Sequence, residues 1–428
     1  MLGRDRPRRT KLGIAQFFLW LGLAVAACTG ESAEAPATEI SSTTTTTEAA
    51  VAVERITTLR VGIVVNEAAP TADLDARIVR ILNESSSLLS TADSPRIELT
   101  TVSVETVGQA DGSILALLQD GISVIITGCD DATVPAVLEA ATSNELLAVT
   151  GCVALPRPDI AGADTDIDPS LFVDLSSLAD NSLAIEQYSL DQGHDSLGVI
   201  RSTLLPDVEQ TCIDLEAQLP EGDDEDAADT VGTGLAAATT FAELIDAPDN
   251  VVADFASSVD QTTTGTIDAI VVCALPPSVG DIVQALREAG FDEEVIVPWY
   301  GDTQSWSADT TNVVTLSPAS RHGDDPEGRT NDLFDAVTVG DQSPNAVDVV
   351  TADTLAILVD AVLRTGSVGS RSLAETISGD AVVNGISGPI ETVGSIDFPL
   401  RRSYRVIAIN DGVATFATLA STLESEAG

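Results

Sequence analysis

Five cysteines, two histidines and 67 acidic side chains are the groups in this 428-residue chain whose types could support chemistry. A zinc site has little support, because no cysteine pair is spaced C-x-x-C and His194 lies far from His322. The run DTDIDPS sets Asp164, Asp166 and Asp168 at alternate positions, as the first ligands of a calcium loop would be. Pro169 then stands where such a loop needs glycine, and Leu175 where it needs a bidentate glutamate. The acidic run EGDDEDAADT, residues 221–230, follows Pro220 and reads as a solvated loop, with calcium binding the lesser alternative. There is no G-x-S-x-G elbow, H-E-x-x-H helix or P-loop, and Lys11 is the only lysine. No catalytic motif is thus legible among these groups, and neither a cofactor nor a metal is expected.

Cys28 is a different kind of reactive group, because it marks a boundary. Arg4, Arg6, Arg8, Arg9 and Lys11 precede an uncharged apolar run from Leu12 to Ala27, the order of an export signal, and the run is too short for a comfortable membrane span. Val25, Ala26 and Ala27 before Cys28 resemble a bacterial lipobox, in which the cysteine thiol takes a diacylglyceryl group and becomes the new N-terminus. The alternative is an ordinary signal cut at a small-residue site. Arg8 and Arg9 also resemble a twin-arginine signal. Residues 1–27 are thus expected to be a lipoprotein signal peptide. Export would leave Cys129, Cys152, Cys212 and Cys273, an even number, for which two disulfides are the natural expectation.

The elements that must position these groups follow a regular order. Residues 28–57, rich in Thr, Ala and Glu, read as a flexible tether. LRVGIVVN then opens the folded part as a buried strand, followed by a helical segment over 72–89. GISVIITG, LLAVTG, SLGVIRS, IDAIVVCAL and EVIVPWYGD repeat the strand pattern, with amphipathic helical segments between most of them. Apolar strands alternating with such helices predict parallel sheets covered on both faces, and the length predicts two doubly wound lobes. IETVGSIDF and RRSYRVIAIND near the C-terminus read instead as a late pair of strands. A net charge of −47 excludes nucleic acid and anionic lipid headgroups as natural partners.

This order of elements resembles the type I periplasmic-binding-protein fold, especially the leucine-binding-like solute receptors of bacterial ABC importers. The resemblance covers about residues 58–415 and is carried by ISVIITGCDDATVPAVLEAATSNELLAVTGC, DPSLFVDLSSLADNSLAIEQYSLDQGHDSLGVIRS, VQALREAGFDEEVIVPWYGD, VVTADTLAILVDAVLRTGS and NGISGPIETVGSIDF. It implies α/β architecture, with two Rossmann-like lobes joined by a hinge. The first lobe would take 58–172 and 299–380, the second 173–298 and 381–428. It also implies a small polar ligand held at the carboxyl ends of the parallel strands. Mapped residue by residue, the first lobe's rim becomes Asp130, Asp131, Thr150 and Gly151. Ser202, Thr203, Leu275, Ser278 and Asp302 fall on the opposing side or near the hinge. Asp130 and Asp131 would cap a helix themselves and disfavour a ligand carboxylate, whereas Asp302 is placed to accept an ammonium group. The other reading of these residues is structural: caps, turns, and Trp299, Tyr300 and Trp306 packed under a loop, with His194 and His322 in exposed loops.

With parallel strands in this order, Cys129 and Cys152 follow neighbouring strands, and Cys212 begins a helix beside the strand ending at Cys273. The expected pairs are therefore Cys129–Cys152 and Cys212–Cys273. The resemblance further implies an exported protein, lipid-anchored to the outer face of the cytoplasmic membrane, that delivers ligand to an ABC permease. A lipid-anchored sensor or surface-binding protein not coupled to transport is the alternative.

Overall fold

The computed structural model describes residues 58–91, 93–130, 132–152, 167–175, 178, 180–194, 196–202, 206–218, 236–244, 267–274, 278–288, 290–303, 306–307, 310–338, 344–392 and 400–423. The signal peptide, the tether with Cys28, Asp131, Asp164, Asp166, Thr203, the 221–230 run and Leu275 lie outside them. So do the side chains of Ser202 and Ser278.

The first sheet is wholly parallel, in the order β2 (Arg96–Ser103), β1 (Thr58–Val65), β3 (Val124–Thr127), β4 (Leu147–Thr150), β5 (Phe172–Val173). Its strands are short apolar runs because both faces are covered. On one face Val64, Ile125 and Ala148 pack with α2 (Ala110–Gln119) and α3 (Val134–Ser143). On the other, Val61, Ile63, Ile126 and Val149 pack with α1 (Ala72–Leu89). Leu355, Leu358 and Leu373 close this second layer from helices that arrive much later in the chain.

The second sheet begins in the same manner. Between α4 (Asn181–Gln192) and α5 (Pro206–Gln218) runs β6 (Ser196–Ser202), which pairs in parallel with β7 (Ala236–Leu244) and β8 (Ala269–Cys273). After α6 (Ser278–Glu288), β9 (Glu294–Val297) and β10 (Val313–Ser317) continue the parallel order. The chain then forms α7 (Arg329–Val337), α8 (Ala346–Thr365) and α9 (Ser370–Ile377). Helix α8 is delimited by its own residues. Asn345 and Asp348 form a capping box at its start, and Gly366, at φ 65°, ends it in the left-handed conformation that glycine adopts without a Cβ clash.

The late strands are β11 (Ala381–Asn384), β12 (Pro389–Thr392), β13 (Leu400–Asn410) and β14 (Val413–Ser421), all antiparallel to their partners. Strand β13 serves both halves of the molecule: Leu400–Arg402 pair with β12, and Arg405–Ile409 pair with β10.

These pairings draw the lobe boundaries differently from the expectation. Tyr300, Val313, Val314 and Leu316 lie in the core around β6, β8 and β9, so the chain returns to the first lobe after residue 317, not at 299. Val383, Ile390 and Leu400 lie in the core of the first sheet, so the last crossing is β13 itself, not residue 381. Burial in one core or the other depends on which strand is the neighbour, and an apolar pattern does not carry that information.

Candidate functional site

The first rim is built where β1, β3 and β4 end. Its organiser is Asp75, in the first turn of α1 and only 1% exposed. One carboxylate oxygen accepts the Asn66 N–H at 2.8 Å and the other the Cys129 N–H at 2.6 Å, so one side chain ties the ends of β1 and β3 together. Gly128 permits this approach, since a Cβ there would stand 2.5 Å from the carboxylate of Asp75. Burial raises the Asp75 carboxyl above its ordinary range, the two backbone donors oppose the rise, and the charge of Asp130 adds to it.

Asp130 is turned into this framework. Its Oδ2 accepts from Asn66 Nδ2 and from the Thr133 hydroxyl, both at 2.7 Å. Burial works against its charge. Those two bonds, with the N–H groups of Ala132 and Thr133, prevail and hold the carboxyl below its usual range. Its observed contacts are thus those of a helix-entry carboxylate at the start of α3. Cys129 and Cys152 form a disulfide that links the ends of β3 and β4, the pairing the element order implied. Thr150 donates to Asp174 at 2.5 Å, and Gly151 lies so close to β3 that a Cβ would meet the Thr127 carbonyl at 2.4 Å.

The second rim follows β9. Trp299–Thr303 form a 3-10 turn carrying Asp302, whose Oδ1 accepts from the Ser320 hydroxyl at 2.9 Å. Ser320 is 1% exposed, and its oxygen also accepts the His322 N–H at 3.0 Å. Burial pushes the half-buried Asp302 carboxyl up to about 6, against the opposing pull of Ser320 and of the His322 charge. Asn181, the first residue of α4, donates to the Leu316 carbonyl at 3.2 Å and accepts the Trp299 N–H at 3.3 Å, which pins the ends of β9 and β10. The second expected disulfide, Cys212–Cys273, joins α5 to the end of β8.

Of the residues expected to form a site, the structure brings Asp130, Thr150 and Gly151 together at the first rim and puts Asp302 at the second. The backbone of Ser202 ends β6, and that of Ser278 opens α6. Asp168 caps the turn Pro169–Leu171 by accepting from the Ser170 N–H at 2.9 Å and from its hydroxyl at 2.7 Å. His194 departs from the exposed-loop expectation. It is half-buried, edge-on to Tyr188 with ring centroids 6.5 Å apart, and its Nε2 is 3.8 Å from Glu294. His322 is exposed as expected. Asp75 was missed, although an aspartate in the first turn of the first helix is a readable sign of a carboxylate near backbone donors.

Two doubly wound α/β lobes, each with its rim at the carboxyl ends of parallel strands and joined by crossing segments, constitute the type I periplasmic-binding-protein fold. Solved structures with this fold cover most of the chain. A candidate branched-chain amino-acid ABC transporter protein from Rhodospirillum rubrum matches at TM-score 0.64 and 13% identity, over 84% of this chain and 100% of its own. The branched-chain amino-acid transporter substrate-binding protein LivJ from Streptococcus pneumoniae, in complex with isoleucine, matches at 0.53 and 14%, over 85% and 99%. A solute-binding protein of an ABC transporter from Rhodopseudomonas palustris, in complex with 3,4-dihydroxybenzoic acid, matches at 0.55 and 16%, over 86% and 99%. No protein-family model and no curated protein sequence matches the chain.

Proposed function

We propose that this chain is an extracytoplasmic solute-binding receptor, not an enzyme, that captures a small polar ligand between its lobes by hinge closure and presents it to an ABC permease. Cys28 would carry the lipid that holds it at the outer face of the cytoplasmic membrane. The observation that carries the reading is the pair of strand-end rims. The first is made rigid by Asp75 and the Cys129–Cys152 disulfide, and the second presents a half-buried carboxylate at Asp302. Rigid rims confine the change of shape to the crossings, which lowers the ordering cost of capture.

The solved relatives hold ligands that carry a carboxylate, isoleucine in one and 3,4-dihydroxybenzoic acid in another. Here the start of α3 is already occupied by the carboxylate of Asp130, which favours a neutral or cationic ligand, such as an amide or amine, with Asp302 accepting its donors. A thermal-shift screen against amino acids, amides, polyamines, sugars and aromatic acids identifies the class, because ligands that bind the native state raise its melting temperature. Calorimetry with the best hit then tests the site. Asp302→Ala should weaken binding by about 1.5–3 kcal/mol, tenfold or more, without unfolding the lobe. Unchanged affinity in that variant, or a simple dicarboxylate as the best ligand, refutes the assignment.

A further inference from the structure

The turn that carries Asp302 is held from several sides. Gly301 gives its N–H to the Pro298 carbonyl at 3.0 Å, and the Thr315 hydroxyl of β10 gives to the same carbonyl at 2.8 Å. A Cβ at Gly301 would stand 2.7 Å from Val297 Cγ1 and 2.9 Å from Thr315 Oγ1, so the turn lies pressed against β9 and β10. Asn181 holds its first residue through the Trp299 N–H. The backbone beneath Asp302 is thus fixed by its neighbours.

The segment that leaves β10 is held as well. Ser317 gives its hydroxyl to the Ala319 carbonyl at 2.6 Å, and Arg405 of β13 donates to the Pro318 carbonyl and, at 3.2 and 3.1 Å, to that of Asp324. Between these anchors lies Ser320, 1% exposed. Its hydroxyl has one hydrogen to give. The oxygen accepts the His322 N–H at 3.0 Å, and the hydrogen goes to Asp302 Oδ1 at 2.9 Å. Oδ1 is therefore turned inward, onto a buried partner. Oδ2 has no donor among the described residues, and it is not shut away from solvent as the unpartnered Oδ2 of Asp353 is. Asp302 presents one oxygen outward.

A carboxylate meets different cations in different ways. A guanidinium binds best through two parallel N–H donors that engage both oxygens, whereas an ammonium or an amide needs only one accepting oxygen. We propose that Ser320 is a specificity-determining residue of this site: by holding Oδ1 it leaves Oδ2 alone to the ligand, which selects a single-point donor such as a primary ammonium over a forked guanidinium. The proposal rests on the receptor reading for the role of Asp302 and adds the chemical class of the donor. Ser320 acts through Asp302, as a positioning residue, and comes from the segment by which the chain returns to the first lobe.

The test uses two small probes, methylammonium and methylguanidinium, added to the full chain with its aspartates labelled by carbon-13. The Asp302 carboxyl resonance, assigned by its loss in Asp302→Asn, reports binding at about pH 7.5, where the group is ionised. The parental protein should bind methylammonium the more tightly. Ser320→Ala, which frees Oδ1, should move the ratio of the two affinities toward methylguanidinium by about tenfold or more, and Ser320→Thr should restore it. A parental preference for methylguanidinium, or a ratio that Ser320→Ala leaves unchanged, overturns the proposal. If Ser320→Ala does not fold, Ser320→Cys, a weak donor, decides in the same way. Both probes bound at Asp302 without preference would count against Ser320 alone. Neither probe bound in any variant would remove Asp302 as a ligand group, and the receptor reading of that rim would fall together with the proposal.

Discussion

Asp302→Asn should make the protein more stable at neutral pH and not in acid. Burial raises the Asp302 carboxyl from 3.8 to about 6, so the native state binds this proton more tightly than the unfolded chain does. For a raised carboxyl, the favourable contribution is complete below the unfolded value and is lost as pH rises through about 6. Above that point the folded protein carries a desolvated carboxylate. The step from 3.8 to about 6 corresponds to roughly 3 kcal/mol at 1.36 kcal/mol per tenfold change, and the solvent that still reaches this incompletely buried group reduces it to about 1–2 kcal/mol. Asparagine cannot ionise, yet it keeps an oxygen to accept from Ser320. Urea unfolding should therefore show the variant ahead by about 1–2 kcal/mol near pH 7.5, with the gap closing between about pH 6 and pH 4. A gap that stays constant across that range, or parental protein that is the more stable near pH 7.5, would refute the reasoning. A carboxylate kept at a cost to stability is the pattern expected of a group whose cation arrives with the ligand.

Two further outcomes follow from the cysteines. Replacing Cys129 and Cys152 together by serine opens a crosslink between positions 23 residues apart, and should lower the unfolding free energy by about 3 kcal/mol in the chain-entropy account. Non-reducing peptide mapping that joined Cys129 to Cys212 would overturn the pairing on which that figure rests. Cys28→Ala should release the protein from the membrane fraction or leave an unprocessed precursor. Unchanged retention, with no lipid on the mature N-terminus, would count against the anchor.

Local patterns in the sequence carried much of this fold. The helical segment over 72–89 is α1, the apolar runs are strands, and RRSYRVIAIND is the long strand β13. These readings succeed because a strand buried on both faces must be apolar and an amphipathic helix must repeat every 3.6 residues. Sheet membership obeys no such local rule. VVTLS at 313–317 is equally apolar in either lobe, and only its pairing with β9 and β13 assigns it to the second. The disulfides were accessible for an intermediate reason, since the order of parallel strands brings Cys129 beside Cys152 without any knowledge of side-chain contacts.

The groups that organise the rim and the hinge are polar, and their meaning lies in partners distant along the chain. Asp75 reaches Cys129, 54 positions later, and reads in sequence as an ordinary acidic residue in a first helical turn. Arg402 and Arg405 belong to a strand whose composition would suit a solvated edge. They are buried against partners far away in the chain, Arg402 beside Asp180 and Arg405 on the Pro318 and Asp324 carbonyls; Tyr404 alone spans 224 positions to reach Asp180. A lone buried charge is unfavourable, so each of these residues is tolerable only after the other lobe has been put in place. The dependence also runs the other way. Asp180 accepts from the Tyr404 hydroxyl and lies 3.7 Å from Arg402, so its environment is incomplete until β13 has crossed. These partnerships wait for β13, the last strand but one, whose residues 400–405 read in sequence as little more than a basic strand.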